Sequence, residues 1–237
     1  MNRVLALTRS ELRLIFRNKT VLISTLAVPL GLGLFFALTG FGDGSGASII
    51  AMQLAMVLGL GIYVAATQTL VARRQNLVLK RLRTSGISDA GLLTATIAPV
   101  VLLAVAQMVL FAVVDVAFGL PMPSSPLPIA LAAVGGLALV VTAALATAVV
   151  TPTAERAQIT TLPLFFVMVG GAVVLAFLPL EGIASLVNLV PGAPLGSLAN
   201  VAYGGSAFSL VQLASLVVWP VLFGLLARRN FRWDARA

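Results

Sequence analysis

The sequence predicts an all-α polytopic membrane protein. It should carry an N-terminal interfacial amphipathic helix, six transmembrane helices, a cytosolic helix between the second and third, and a short re-entrant or surface helix before the last. Three observations carry this prediction. Sixty per cent of the residues are hydrophobic and 9% charged, against about 25% charged in an ordinary soluble domain. Apolar runs near or beyond the roughly 20 residues needed to cross a bilayer recur along the chain, and they lack the alternation of lipid-exposed strands, which selects helices over a barrel. The 15 basic residues are also segregated: five before the first run, five in 72–90, Arg156 alone, and four in the tail. The connections around Asp43, Pro121–Pro128 and Glu181–Gly205 hold none. By the positive-inside rule this places both termini in the cytosol and makes the number of crossings even.

Taken in order, residues 2–19 place Arg9, Arg13 and Arg17 four apart as a basic stripe, with Val4, Leu5, Leu12, Ile15 and Phe16 over much of the remaining surface. That pattern suits a helix lying in the membrane interface. A cleaved signal peptide is not expected, because the basic region is long and no small-residue cleavage site follows a short apolar core. Val21–Phe41 is the first span, with Pro29 inside it, and Gly40–Gly46 is a turn. Ala47–Val71 is the second span. Gly91 to about Gly119 is the third, interrupted by Pro99, and the proline-rich 121–128 is a turn that no helix continues through. Leu127 to about Val150 is the fourth, 151–158 a short polar loop, and Ile159–Leu178 the fifth. Residues 182–205, broken by Pro191, Pro194 and several glycines, form the extracytoplasmic re-entrant or surface piece; Ser206–Ala227 is the sixth span. The whole chain, 1–237, reads as one transmembrane domain.

The 72–86 stretch holds Arg73, Arg74, Lys80, Arg81 and Arg83. On a continuous helical wheel, at about 100° per residue, Val78, Leu79 and Leu82 gather on one side and the basic residues cover the other. Leu77 alone stands among the arginines. A short amphipathic helix tethered at both ends to spans is shaped to lie under the bilayer and to meet something in the cytosol. Anionic lipid headgroups alone would also attract these charges, at about 1 kcal/mol each.

Catalytic chemistry finds little support. The chain has no cysteine and no histidine, which excludes disulfides, thiolate metal sites and Ser-His nucleophiles. The seven acidic residues are scattered singly, so neither a metal centre nor a catalytic residue is assigned. The basic charges flank four membrane segments instead of forming a reading surface, which argues against nucleic acid. No G-x-x-x-x-G-K-[ST] motif occurs, so ATP-driven work requires a separate hydrolysing chain. Within the spans, Asp115 lies near the outer end of the third, close enough to the interface to be hydrated, and Gln53, Gln68 and Gln107 sit in apolar runs. These four residues are the candidates for a solute path; hydrogen bonding between helices is the plainer role for the glutamines. Gly59, Gly61, Gly135, Gly136, Gly170 and Gly171 read as close helix contacts.

In its order of elements the chain resembles the six-span permease subunits of ABC exporters that carry drugs, lipids and polysaccharides, including daunorubicin-resistance permeases. Lys80-Arg-Leu-Arg-Thr-Ser-Gly86 is similar to the family's lysine/glutamate-Arg-Leu-Arg-x-[Thr/Ser]-Pro ending of a cytosolic helix, with glycine in place of proline. Leu189-Val-Pro-Gly-Ala-Pro-Leu195 resembles its proline-containing segment before the sixth span. Gln75-Asn76 replaces acidic residues that are frequent early in that helix.

The resemblance implies that 72–86 is a coupling helix seated on a cytosolic ABC ATPase dimer. Leu77 would be its apolar knob and Arg73, Arg74, Lys80, Arg81 and Arg83 its polar rim, with Arg13 and Arg17 adding a second contact. It implies no cofactor in this chain, ATP and Mg in the partner, a second permease chain identical or homologous to this one, and a bacterial plasma membrane. The expected activity is export of a hydrophobic or amphipathic drug, antibiotic or lipid. An ion-coupled secondary transporter of a hydrophobic solute is the alternative, with Asp115 as its only candidate carboxylate.

Overall fold

The structure is a computed structural model that describes residues 3–17, 19–40, 45–78, 87–178 and 182–230. Among these residues every regular element is helical. Helix α1 is Arg3–Arg17. Helix α2 spans residues 19–39, with a π-helical turn at Ile23–Ala27 ahead of Pro29. Helices α3 (Gly46–Gln75), α4 (Asp89–Ala117), α5 (Leu127–Val150) and α6 (Ala154–Phe177) follow. A 3-10 segment, Gly182–Leu189, leads to α7 (Ala193–Ala202), and α8 is Leu210–Asn230. Among the described residues α3, α4, α5, α6 and α8 are long and apolar enough to cross a membrane, and Thr25–Thr39 within α2 is a shorter apolar helix.

Helix α3 is the axis of the bundle. Its most apolar window is 83% buried, against 22% to 33% for the other four, and it packs against α2, α4, α5, α6 and α7. The outer helices leave large apolar side chains uncovered, among them Val109, Val134, Phe166 and Val217, as faces solvated by acyl chains would. Lipid tails are as apolar as leucine, so close packing of small residues holds such helices together. Gly136 sits against Leu58 and Leu195, Gly59 against Phe165, Gly135 against Leu216 and Gly171 against Ala193, as their close-contact reading requires; Gly170 has open space beside it.

The expected polar loop at 151–158 is mostly helix. Thr153 caps α6, its Oγ1 accepting the Arg156 N–H at 3.3 Å, and the helix starts at Ala154. Residues 154–158 form the first turns of α6, with Glu155 placed where the positive end of the helix dipole favours it.

Within 182–205, residues 191–200 are all buried, while Leu186, Leu189, Gly204 and Gly205 are exposed. All of α7 except Val201 is buried, and the helix is packed among α3, α5, α6 and α8. Gly192 opens it at φ +90°, a conformation that a side chain would strain. At Gly196 the backbone comes so close to α6 that a Cβ would fall inside the Ala172 carbonyl oxygen. Beyond its far end, Ser124 Oγ and Ser125 N–H both donate to Ala202 O, at 2.7 and 3.1 Å.

Candidate functional site

Prolines set the polar interior of this bundle. A proline at position i has no N–H, so the carbonyl at i−4 loses its helical partner, and a buried orphan carbonyl costs about 1–3 kcal/mol. Two such carbonyls, and the carbonyls that end α6, are met by side chains from other helices. Pro152 orphans Ala148, and Arg74 Nη1 donates to Ala148 O at 2.7 Å. Pro29 orphans Thr25, and Gln107 Nε2 donates to Thr25 O at 3.0 Å. At the end of α6, where the last carbonyls of a helix have no intrahelical donor, Asn200 Nδ2 donates to Leu175 O at 2.6 Å and Ala176 O at 2.9 Å.

At the basic end of the bundle, three consecutive residues at the end of α3 tie three helices together. Arg73 clasps Glu11 of α1 through both terminal nitrogens and both carboxylate oxygens. Arg74, 1% exposed, holds the end of α5 through Ala148 O and Thr151 O. Gln75 Oε1 accepts the Ala154 N–H at 3.1 Å and so caps α6. Helix α3 then stops: Asn76 N–H donates to Ala72 O and Leu77 N–H to Arg74 O, both at 3.0 Å. Leu77 adopts φ +58°, the left-handed region, among the described residues the one non-glycine there. A leucine in that conformation costs about 1–2 kcal/mol, and its side chain is 39% exposed.

These contacts correct the continuous 72–86 wheel. Arg73 and Arg74 belong to the last turn of α3, and their charges are spent on Glu11 and on the carbonyls that close α5. Arg74 is 1% exposed, so its side chain is turned into the bundle and not outward as the wheel has it. Arg13 and Arg17 lie exposed on α1. Lys80, Arg81 and Arg83 lie outside the described residues. A cavity of about 660 Å³ opens between α1, α3, α4 and α6, with Gln68, Arg73, Pro99 and Glu155 among its lining residues.

The opposite end holds the second candidate site. Gln53 Nε2 of α3 donates to Asp115 Oδ1 of α4 at 2.9 Å and reaches Gly33 O of α2 at 3.5 Å. Asp115 is 6% exposed, not the hydrated interfacial residue expected from its position near the end of a span. Both side chains line a cavity of about 410 Å³ whose other walls include Met108, Phe111, Pro121, Ile129 and Tyr203. Tyr203 O–H donates to Pro121 O at 2.9 Å, fixing the ring at the cavity wall.

The model of the ABC-2 family transporter protein matches residues 36–229, most of the chain, from late α2 through nearly all of α8. The chain belongs to the ABC-2 transporter family. It is a membrane permease of an ABC transporter. No curated protein matches it.

The predicted site residues of this ABC-2 permease separate into distinct places. Gln53 and Asp115 come together in one cavity, Gln68 lines the other, and Gln107 serves the helix kink at Pro29 and lines neither of these two cavities. Sequence reasoning missed Glu11, the partner of Arg73, and Tyr203. Glu11 is the one acidic residue in an otherwise basic N-terminal helix, which was the available signal.

Proposed function

We propose that this ABC-2 permease is one half of an ATP-driven exporter of a hydrophobic or amphipathic compound in a bacterial plasma membrane. Residues 19–39 form the first of six crossings, both termini and 72–90 face the cytosol, and α7 is re-entrant from the outer side. A second permease chain completes the pore. A separate ATPase dimer, carrying ATP and Mg, seats on the segment that begins at Leu77, with Lys80, Arg81 and Arg83 as its polar contacts. Arg13 and Arg17, exposed on α1, form a lesser contact.

Leu77 is the observation that carries this reading. An exposed leucine held in a left-handed conformation is costly in water; such outliers concentrate where a partner or ligand acts. The three anchors immediately before it are what a coupling element needs. A force applied at Leu77 reaches α5 through Arg74, α1 through Arg73 and α6 through Gln75 without passing through a flexible joint.

Purification from the host in mild detergent should bring an ATPase chain with the permease. Leu77→Asp should weaken that association about tenfold or more, as loss of a central apolar contact does. Leu77→Gly removes the same side chain while relieving the backbone strain, so it should bind equally poorly from a fold at least as stable. Unchanged affinity in both variants would remove Leu77 from the contact. The buried Asp115 is the one feature that favours ion coupling instead, and dependence on an ion gradient would separate the two.

A further inference from the structure

We propose that the Gln53–Asp115 cavity is a binding site for a lipophilic organic cation, an ammonium group on an apolar body, with Asp115 as its counter-charge. The inference rests on the permease reading for its biological sense but on the cavity alone for its chemistry.

A carboxylate at 6% exposure, within a membrane span, is costly unless its charge is matched. Among the described residues no Lys or Arg pairs with it; the one side chain that hydrogen-bonds it is the neutral Gln53 amide, on Oδ1. Here the contrast with the other buried acid is informative. Glu11, in the same chain, has both oxygens occupied by the Arg73 guanidinium. Among the described residues, then, one buried carboxylate has a cation and the other has none, and the unmatched one faces a cavity of about 410 Å³.

The walls of that cavity fit the same ligand class. Phe111 and Tyr203 present aromatic rings, whose faces attract quaternary and alkylated ammonium groups. Met108 and Ile129 supply adaptable apolar contact for the body of the molecule. Gln53 spends its amide hydrogens on Asp115 Oδ1 and Gly33 O, so it positions the carboxylate while leaving its charge in place. Gly33 also admits the Phe111 ring against α2, where a Cβ would overlap it, so the ring is held at the wall by backbone contact.

The test measures equilibrium binding to the purified transporter, with whatever subunits accompany the chain, in phosphatidylcholine nanodiscs without nucleotide. The probes are a phenylalkyl-trimethylammonium and its neutral carbon isostere, in which a quaternary carbon replaces the nitrogen. The wild type should prefer the cation. Asp115→Asn, which keeps the hydrogen bond with Gln53 and removes the charge, should weaken cation binding about thirtyfold or more and change binding of the isostere by less than roughly twofold. Ala133→Phe, which fills the cavity and leaves Asp115 intact, should abolish binding of both probes and keeps the result interpretable if the Asn variant misfolds. Equal affinity for the two probes, no cation binding to the wild type, or cation binding unaltered in Asp115→Asn would each overturn the proposal. Because nucleotide is absent, failure of ATP-driven export leaves this result standing, and the reverse holds as well.

Discussion

Replacing Arg74 by methionine should destabilise the permease by about 3–6 kcal/mol, the sum of two charge-assisted hydrogen bonds lost to buried carbonyls. The methionine retains the aliphatic bulk, so the loss isolates the guanidinium. Ala148 O cannot regain a partner from its own helix, because position 152 is proline, and Thr151 O loses its partner at the same time. Arg74→Lys should recover only part of the loss, since one ammonium on a flexible stem does not reproduce a planar fork. Thermal unfolding of the purified protein in one detergent, followed by light scattering and intrinsic fluorescence, measures both. A surface arginine of a coupling helix would show no such cost, so a change under about 1 kcal/mol would return Arg74 to the partner interface.

Gly196→Ala is the second large effect, and its sign is set by two opposing magnitudes. Alanine in place of a helix-interior glycine ordinarily gains about 1 kcal/mol. Here the new methyl would overlap the Ala172 carbonyl oxygen and stand 2.8 Å from the Ala176 nitrogen, both backbone atoms that cannot rotate away. Overpacking costs about 1–3 kcal/mol and occasionally more, and an overlap with backbone stands at the top of that range, so the clash wins and a net loss of about 2 kcal/mol is expected. Helix α7 would be displaced from α6, taking the Asn200 bonds to Leu175 O and Ala176 O with it. Gly170→Ala, with open space around its position, should be neutral or slightly stabilising. Equal behaviour of the two variants would contradict the close approach of α7 to α6.

Much of the architecture was legible because hydropathy acts over whole spans. The spans from α3 onward fall within a few residues of their expected places, and Arg9, Arg13 and Arg17 line an exposed stripe of α1. The proline break near 191–194 was visible too, since proline and glycine act locally. What the sequence could not display was pairing across helices. Pro29 and Pro152 each imply an orphan carbonyl four residues earlier, but nothing local says that Gln107 and Arg74 are the donors. Arg73 and Arg74 sit where a topological flank would sit, and a wheel continued through Leu77 treats the stretch as one helix. The helix instead ends where Arg74 and Gln75 are held by neighbouring helices and Leu77 turns left-handed. Asp115 was misplaced for a related reason. Distance along a span measures depth, not the side of the helix on which a neighbour lies.

On the proposed function, export is powered by nucleotide hydrolysed on another chain. Inside-out vesicles from the host, carrying the permease with its ATPase, test it directly through accumulation of the ammonium probe. ATP with Mg should drive accumulation that vanadate abolishes and that ionophores collapsing proton and sodium gradients leave intact. Accumulation that needs an imposed ion gradient, and proceeds without ATP, would contradict the account and make Asp115 the coupling carboxylate of a secondary transporter.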